Sequence, residues 1–226
     1  MGDRGRAREV VEVVKAGDGE LLRTLIAEDS ALAGARDDQG LSAVLHARYR
    51  DRDDLVEILL AAAPQLDIFE AAAVGAFDRV TELLDADPSA VFAWSPDGYT
   101  PLHLAAFFGH PDVVRLILGR GGDPSAVARN PMEVMPLHSA MAGSDVAGRR
   151  LVAELLLEHQ ADVNARTHGG FTALMEAAQN GDLDTATLLL SHGADPSLAS
   201  DQGKSASDLA LAGGHQDVAK LVERRS

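Results

Sequence analysis

Residues 97–123 read DGYTPLHLAAFFGHPDVVRLILGRGGD, and two short helices with a return can be written directly from them. Thr100 is placed to cap the first helix, and Pro101 stands at its first position, where the missing N–H costs no hydrogen bond. Leu102, Ala105 and Ala106 form a narrow face of small apolar side chains that permits close approach of a neighbour. Gly109 ends this helix, because glycine enters the left-handed conformation without a Cβ clash. Pro111 and Asp112 open the second helix, with the carboxylate at the positive end of its dipole. Val113, Val114, Leu116, Ile117 and Leu118 supply its buried face, and Gly121-Gly122-Asp123 turns the chain out again.

The same unit recurs along the chain. Aligning on Thr100 gives anchors at Arg8, Ser42, Leu66, Thr100, Met135, Thr172 and Ser205, with spacings of 34, 24, 34, 35, 37 and 33 residues. The position of Asp112 is filled by Glu20, Asp54, Asp78, Asp184 and Asp217, and the turn glycine recurs as Gly17, Gly75, Gly181 and Gly214. Apolar rows such as Val80/Leu83/Leu84 and Leu188/Leu189/Leu190 follow each time. The G-x-T-P-L-H-x-A-A, G-H, V-V, L-L-L, G-x-D pattern resembles the ankyrin repeat, whose period is about 33 residues. The resemblance covers the whole chain. It implies an all-α solenoid of stacked helix-turn-helix units with β-hairpin loops, in one domain over 1–226.

Seven units follow, at about 4–39, 40–63, 64–97, 98–132, 133–169, 170–202 and 203–226, the first and last acting as polar caps. The short step from unit two to unit three omits about nine residues of the usual period, those of a projecting hairpin finger. It predicts a notch, with Pro64 swinging the chain straight into Leu66–Ala73. In unit five a four-residue excess within Gly143–Arg150 lengthens the connection between helices. Gln160 replaces the helix-ending glycine there, which predicts a different helix end.

Composition narrows the function. The 226 residues are 46% hydrophobic but only 4% aromatic, so the apolar content is mostly Ala, Leu and Val, suited to short packed helices. The absence of cysteine excludes disulfides, thiolate metal sites and cysteine nucleophiles. A formal net charge of −15 disfavours phosphate backbones and anionic membranes as partners. No apolar run approaches the roughly 20 residues of a membrane span. The start Met1-Gly2-Asp3-Arg4-Gly5-Arg6 has neither a signal-peptide core nor the Ser or Thr expected at position 6 for myristoylation. A cytoplasmic protein is expected, and the Ala-, Asp- and Arg-rich composition suggests a bacterial source.

Catalytic signatures are missing. There is no H-E-x-x-H, no G-x-S-x-G, no P-loop and no G-x-G-x-x-G, so no catalytic residue, cofactor or metal is assigned. His103 and His138 fill the His of the T-P-L-H motif, which in the family is structural and bonds backbone in the adjoining turn. Arg149 and Arg150 read as part of a solvated loop. By resemblance, partners meet the hairpin tips and the exposed positions of the first helices. The partner-facing residues are then Tyr49, Arg50, Trp94, Tyr99, Phe107, Phe108, Met132, Phe171, Gln179 and Asn180. Six of the nine aromatics fall in this set, which points to a recognition surface rather than core packing alone.

The expectation is a non-enzymatic scaffold that holds a protein or peptide with an apolar anchor and a basic rim. Two other readings attach to the same patch. One is a small-molecule or enzymatic site between units four and five, lined by the aromatics with His103 and His138 nearby. The other is self-association.

Overall fold

The computed structural model describes residues 3–143 and 146–225. Met1-Gly2, weighed above for myristoylation, Ser144-Asp145 in the lengthened connection of unit five, and Ser226 lie outside the described residues. The fourteen helices among the described residues form seven consecutive pairs. The first members are α1 (Asp3–Ala16), α3 (Ala43–Arg48), α5 (Ile68–Ala73), α7 (Pro101–Phe107), α9 (Pro136–Ala142), α11 (Ala173–Gln179) and α13 (Ala206–Ala212). Each packs on the next to make an inner row. The second members are α2 (Gly19–Glu28), α4 (Asp53–Ala61), α6 (Phe77–Ala86), α8 (Pro111–Gly119), α10 (Val146–Glu158), α12 (Leu183–Ser191) and α14 (Gln216–Glu223). They form an outer row that is continuous except where α4 meets α6.

Local chemistry places these helices. Thr100 Oγ1 accepts from the His103 N–H with Pro101 at the first helical position, and Ser42, Thr172 and Ser205 cap their helices in the same way. Gly17, Gly75, Gly109, Gly181 and Gly214 all take positive φ at the turns between paired helices. Three of them are also sterically committed to the following unit. A Cβ on Gly75 would stand 2.6 Å from the His110 imidazole, one on Gly181 would run into the His215 imidazole, and Gly17 lies against the Arg52 guanidinium. His110 and His215 are therefore lids over the turn glycine of the preceding unit. Gly193 has a similar positive φ but open space around it. Gly181→Ala should thus cost about 2 kcal/mol or more and Gly193→Ala about 1, read by urea unfolding. Equal losses would show that the imidazole contact adds nothing.

The expected hairpin loops are short reverse turns whose β pairing is limited, among the described residues, to the bridges Arg36–Ser42 and Ala199–Ser205. Backbone bonds close the others: Ser95 N to Tyr99 O, Ala128 N to Val134 O, and Thr167 N to Phe171 O. Neighbouring fingers are joined by Arg129 N to Gly98 O, His168 N to Met132 O, and Asp201 N to Gly169 O.

Several expectations need correction. Unit three is capped by Asp67, one residue beyond the Leu66 anchor, through a capping box in which Asp67 also accepts from Phe69 N and Glu70 returns a carboxylate to Asp67 N. The α4 helix ends before Pro64, with Ala63 left-handed at φ 49°. Gln160 does what the missing glycine would do, at φ 68°, with Ala161 N bonding Leu156 O. Two 3-10 turns that periodicity did not reveal, Ser30–Gly34 and Pro88–Phe92, are capped by Asp29 and Asp87. Arg149 is not in a solvated loop. It lies on α10, 7% exposed, 3.0 Å from an Asp182 carboxylate that is 8% exposed. Arg150 on the same helix is exposed.

The short step after unit two interrupts the apolar core. One buried cluster spans α1 to α4, and a second runs from α5 to α14, with Leu45 alone of unit two belonging to the larger one. Polar side chains suture the join. Arg36 bridges Asp67 at 3.0 Å and the buried Glu70 at 3.1 Å, and Arg48 Nε donates to Ala73 O. The expected notch is bridged by the flanking fingers: Gly40 lies against Pro96, and the Tyr49 hydroxyl donates to Asp97 at 2.7 Å.

Candidate functional site

The inner row carries two side-chain columns toward the fingers, at the fourth and seventh residues after each cap. In units four, five and six the first column reads Leu104, Ser139, Glu176 and the second Phe107, Ala142, Gln179. Unit five thus puts small side chains between larger neighbours. A cavity of about 350 Å³ opens there. Leu104 and Phe107 of unit four, Ser139 and Ala142 of unit five, and Glu176 of unit six line it in turn. Tyr99, Met132 and Val134 from the fingers make its rim, with Tyr49, His103 and His138 completing the lining. The surface is overwhelmingly apolar, and the volume falls in the range of small ligand pockets.

Aromatic packing fixes one wall. Tyr49 stands 6.2 Å from Phe107 and 5.6 Å from Phe108, and the two phenylalanines pack edge-on at 4.9 Å. The small unit-three helix α5, with Ala71, Ala72 and Ala73 fully buried, leaves room for this ring to reach across from unit two to unit four. Burial, and then the Asp97 carboxylate that its hydroxyl faces, push the Tyr49 pKa up, so it remains a neutral donor.

The two motif histidines are structural ties. His103 Nδ1 accepts from Thr100 N, and its Nε2 donates to Val134 O at 3.1 Å. His138 Nδ1 accepts from Met135 N, and its Nε2 donates to Ala165 O at 3.1 Å. Each links a first helix to the finger of the next unit. Burial drives the His103 pKa down to about 4 and lowers that of His138. Both are neutral near pH 7 with both nitrogens engaged, so neither offers a free base to a ligand.

Glu176 is the unexpected member. Its Oε2 is buried with no hydrogen-bond partner among the described residues, and burial alone pushes its pKa up to about 8. An unpaired buried polar atom is rare enough in native structures to require a reason.

The ten sequence-derived residues separate accordingly. Tyr49, Tyr99, Phe107 and Met132 converge on the cavity, with Met132 53% exposed at its rim. Phe108 is inside the core, its ring beneath the Arg48 guanidinium at 4.5 Å, because the residue after α7 turns back under the helix row. Trp94 is half-buried and covered by the Arg129 guanidinium at 4.3 Å. Arg50 is exposed and bonds the His46 carbonyl, and Phe171 is half-buried against the core. Gln179 and Asn180 are exposed beside the cavity, with Asn180 Nδ2 donating to Met141 O. Sequence reading passed over Glu176, Ser139 and Ala142; comparing the columns between units would have exposed them.

Among the described residues, no group of three or more His, Asp or Glu side chains is placed to hold a metal ion, and no helix is long and apolar enough to cross a membrane.

The architecture is that of a repeat solenoid presenting fingers and an inner helix face, a class built for binding along an extended surface. The family model for ankyrin repeats matches in three copies, at residues 11–127, 68–167 and 147–225, and the chain belongs to that family. It is 29% identical over 164 residues to rat (Rattus norvegicus) ankyrin repeat and SAM domain-containing protein 6, covering 70% of this chain and 18% of that protein. The mouse (Mus musculus) counterpart is 33% identical over 153 residues, 65% of this chain and 17% of that protein. Rat cyclin-dependent kinase 4 inhibitor B is 37% identical over 125 residues, 54% of this chain and 88% of the inhibitor. The chain therefore spans under a fifth of the first two relatives' length. Ankyrin repeats as a class are protein–protein interaction modules.

Proposed function

We propose that this chain is a non-enzymatic interaction module that holds a protein or peptide at its fingers and inner helix face, anchoring one apolar element in the cavity between units four, five and six. The observation that carries this reading is the open, aromatic-walled cavity, whose Tyr99, Phe107 and Met132 lie at the rim and wall while the adjacent Phe108 is packed away. A preformed cavity in a stacked scaffold loses little conformational freedom on binding. The net charge of −15 favours a partner with a basic rim. That one relative is named as an inhibitor of a cyclin-dependent kinase supports a protein as the occupant. The volume and apolar lining of the cavity also suit a small molecule, which is the second reading.

The test is selection of binding peptides from a random-sequence library, followed by affinity measurements on Tyr99→Ala/Phe107→Ala with its helical circular dichroism checked. Loss of two aromatic anchors should weaken binding about 100-fold or more. Unchanged affinity would move recognition off this cavity. Absence of any peptide binder, with a metabolite screen yielding one, would favour the small-molecule reading, and a mass rising with concentration would favour self-association.

A further inference from the structure

Glu176 turns an apolar slot into a selective one. A carboxyl group on a surface built only to grip an apolar side chain weakens that grip, since its Oε2 is desolvated and bonded to nothing among the described residues. The small Ser139 and Ala142 of unit five leave space between units four and six, and the Phe107 and Tyr99 side chains share the same lining. We infer that the cavity is a lysine pocket: it takes the side chain of a lysine from the bound partner, with its methylene stem against Leu104 and Phe107 and its ammonium on Glu176.

The acceptor inventory selects lysine over arginine. The His103 and His138 nitrogens are committed to backbone, and the Tyr49 hydroxyl is donated to Asp97. An arginine fork would bring five donors to a lining with a single carboxylate, whereas lysine brings a compact charge on a long apolar stem. The faces of Tyr99 and Phe107 can add cation–π attraction to the same ammonium. The inference rests on the interaction-module reading and names the chemistry of its anchor.

Entry of an ammonium is coupled to a proton. In the empty cavity burial holds the carboxyl proton on Glu176 up to about pH 8. The arriving cation restores the carboxylate, and that proton leaves for solvent, with no other bond made or broken. The titratable groups sharing the cavity are Tyr49, Tyr99, His103 and His138; both tyrosine pKa values are raised and both histidine values lowered, so the tyrosines stay neutral up to pH 9 and the histidines are neutral from pH 7 upward. On neighbouring helices, Asp182 is paired with Arg149, and Asp208 bonds its own cap at Ser205. Lysine itself, with an ordinary pKa of about 10.4, remains charged throughout.

The experiment measures Kd at pH 6, 7, 8 and 9 for a cavity-binding peptide from the selection above and for its analogues with each lysine replaced by norleucine. Wild type and Glu176→Gln are compared. For the lysine peptide on wild type, affinity should rise about tenfold per pH unit up to pH 8 and then level off. It should be flat on Glu176→Gln, and the norleucine analogue should show no rise with pH on either protein. A lysine peptide whose affinity is independent of pH on wild type, or identical on Glu176→Gln, overturns the inference. Peptides sensitive to Tyr99→Ala/Phe107→Ala but indifferent to every norleucine exchange would leave the module reading standing and the lysine pocket refuted. Insensitivity to both would refute the two together. n-Pentylamine is the control for a free amine. If it binds as tightly as the peptide, with the same pH profile, the pocket serves a free amine and the commitment to a partner's lysine falls.

Discussion

Arg149→Ala is expected to be the most destabilising single substitution proposed here, lowering stability by about 3–5 kcal/mol and the thermal midpoint by roughly 10 °C. The guanidinium is 7% exposed and meets Asp182 Oδ2 at 3.0 Å, while its other amino nitrogen donates to Gly143 O at 2.8 Å. Asp182 is equally buried and is also the cap of α12, accepting from Thr185 N and Thr185 Oγ1. Truncating the arginine leaves a desolvated carboxylate with its cap bonds but no counter-charge, and frees the Gly143 carbonyl. The loss comes from stranding a charge rather than from the net worth of the pair. Arg149→Met combined with Asp182→Asn keeps the cap, removes both charges and should recover most of the loss. Urea unfolding of the wild-type chain, Arg149→Ala and the double variant decides the matter. A loss below about 1 kcal/mol for Arg149→Ala, or no recovery in the double variant, would show that the pair is effectively solvated.

The second large effect is in the pH dependence of stability, where two buried groups act with opposite sign. The folded pKa of His103 lies near 4, below its unfolded value of about 6.5. Its contribution is complete above pH 6.5 and is lost as pH falls toward 4, a change on the order of 3 kcal/mol; the lowered His138 acts in the same direction. The folded pKa of Glu176 lies near 8, above its unfolded value of 4.5. Its contribution is complete below pH 4.5 and is lost as pH rises toward 8, on the order of 4 kcal/mol. Between about pH 4.5 and 6.5 the two oppose each other, and from 6.5 to 8 Glu176 acts alone, so stability should decline there by about 2 kcal/mol. Glu176→Gln, a shape match for the neutral acid, should abolish that decline and leave the His103 loss unopposed, and so steeper, between pH 4.5 and 6.5. Parallel profiles for wild type and variant across pH 6.5–8 would mean that the carboxyl is hydrated in solution.

Much of the fold could be read from the chain because ankyrin signals are local. Caps, turn glycines and apolar rows lie within one unit, and their physics acts within a few residues. What escaped depends on contacts between units or on exceptions to residue preference. Arg149 could not be assigned without Asp182, 33 residues on. Gln160 adopts a conformation that preference assigns to glycine, because the helix end it completes still bonds Ala161 N to Leu156 O. Phe107 and Phe108 are adjacent and chemically identical, so only the helix end separates the cavity wall from the core. Glu176 looked like any surface glutamate on a short helix. Its meaning depends on Ser139 and Ala142 one unit earlier and on the lack of a hydrogen-bond partner for its Oε2 among the described residues.

The strut formed by Tyr49 gives the array a mechanical property. A solenoid takes up bending at the interfaces between successive repeats, and the weakest apolar continuity in this one lies between units two and three. Tyr49 crosses that join, with its ring against Phe107 and its hydroxyl on Asp97. Flexing that opens the join must draw the ring from the cavity wall, and anything wedged firmly against that wall must stiffen the join. Curvature of the whole array and the shape of one small cavity are therefore a single elastic coordinate, gripped at one end by units one and two and at the other by whatever occupies the slot.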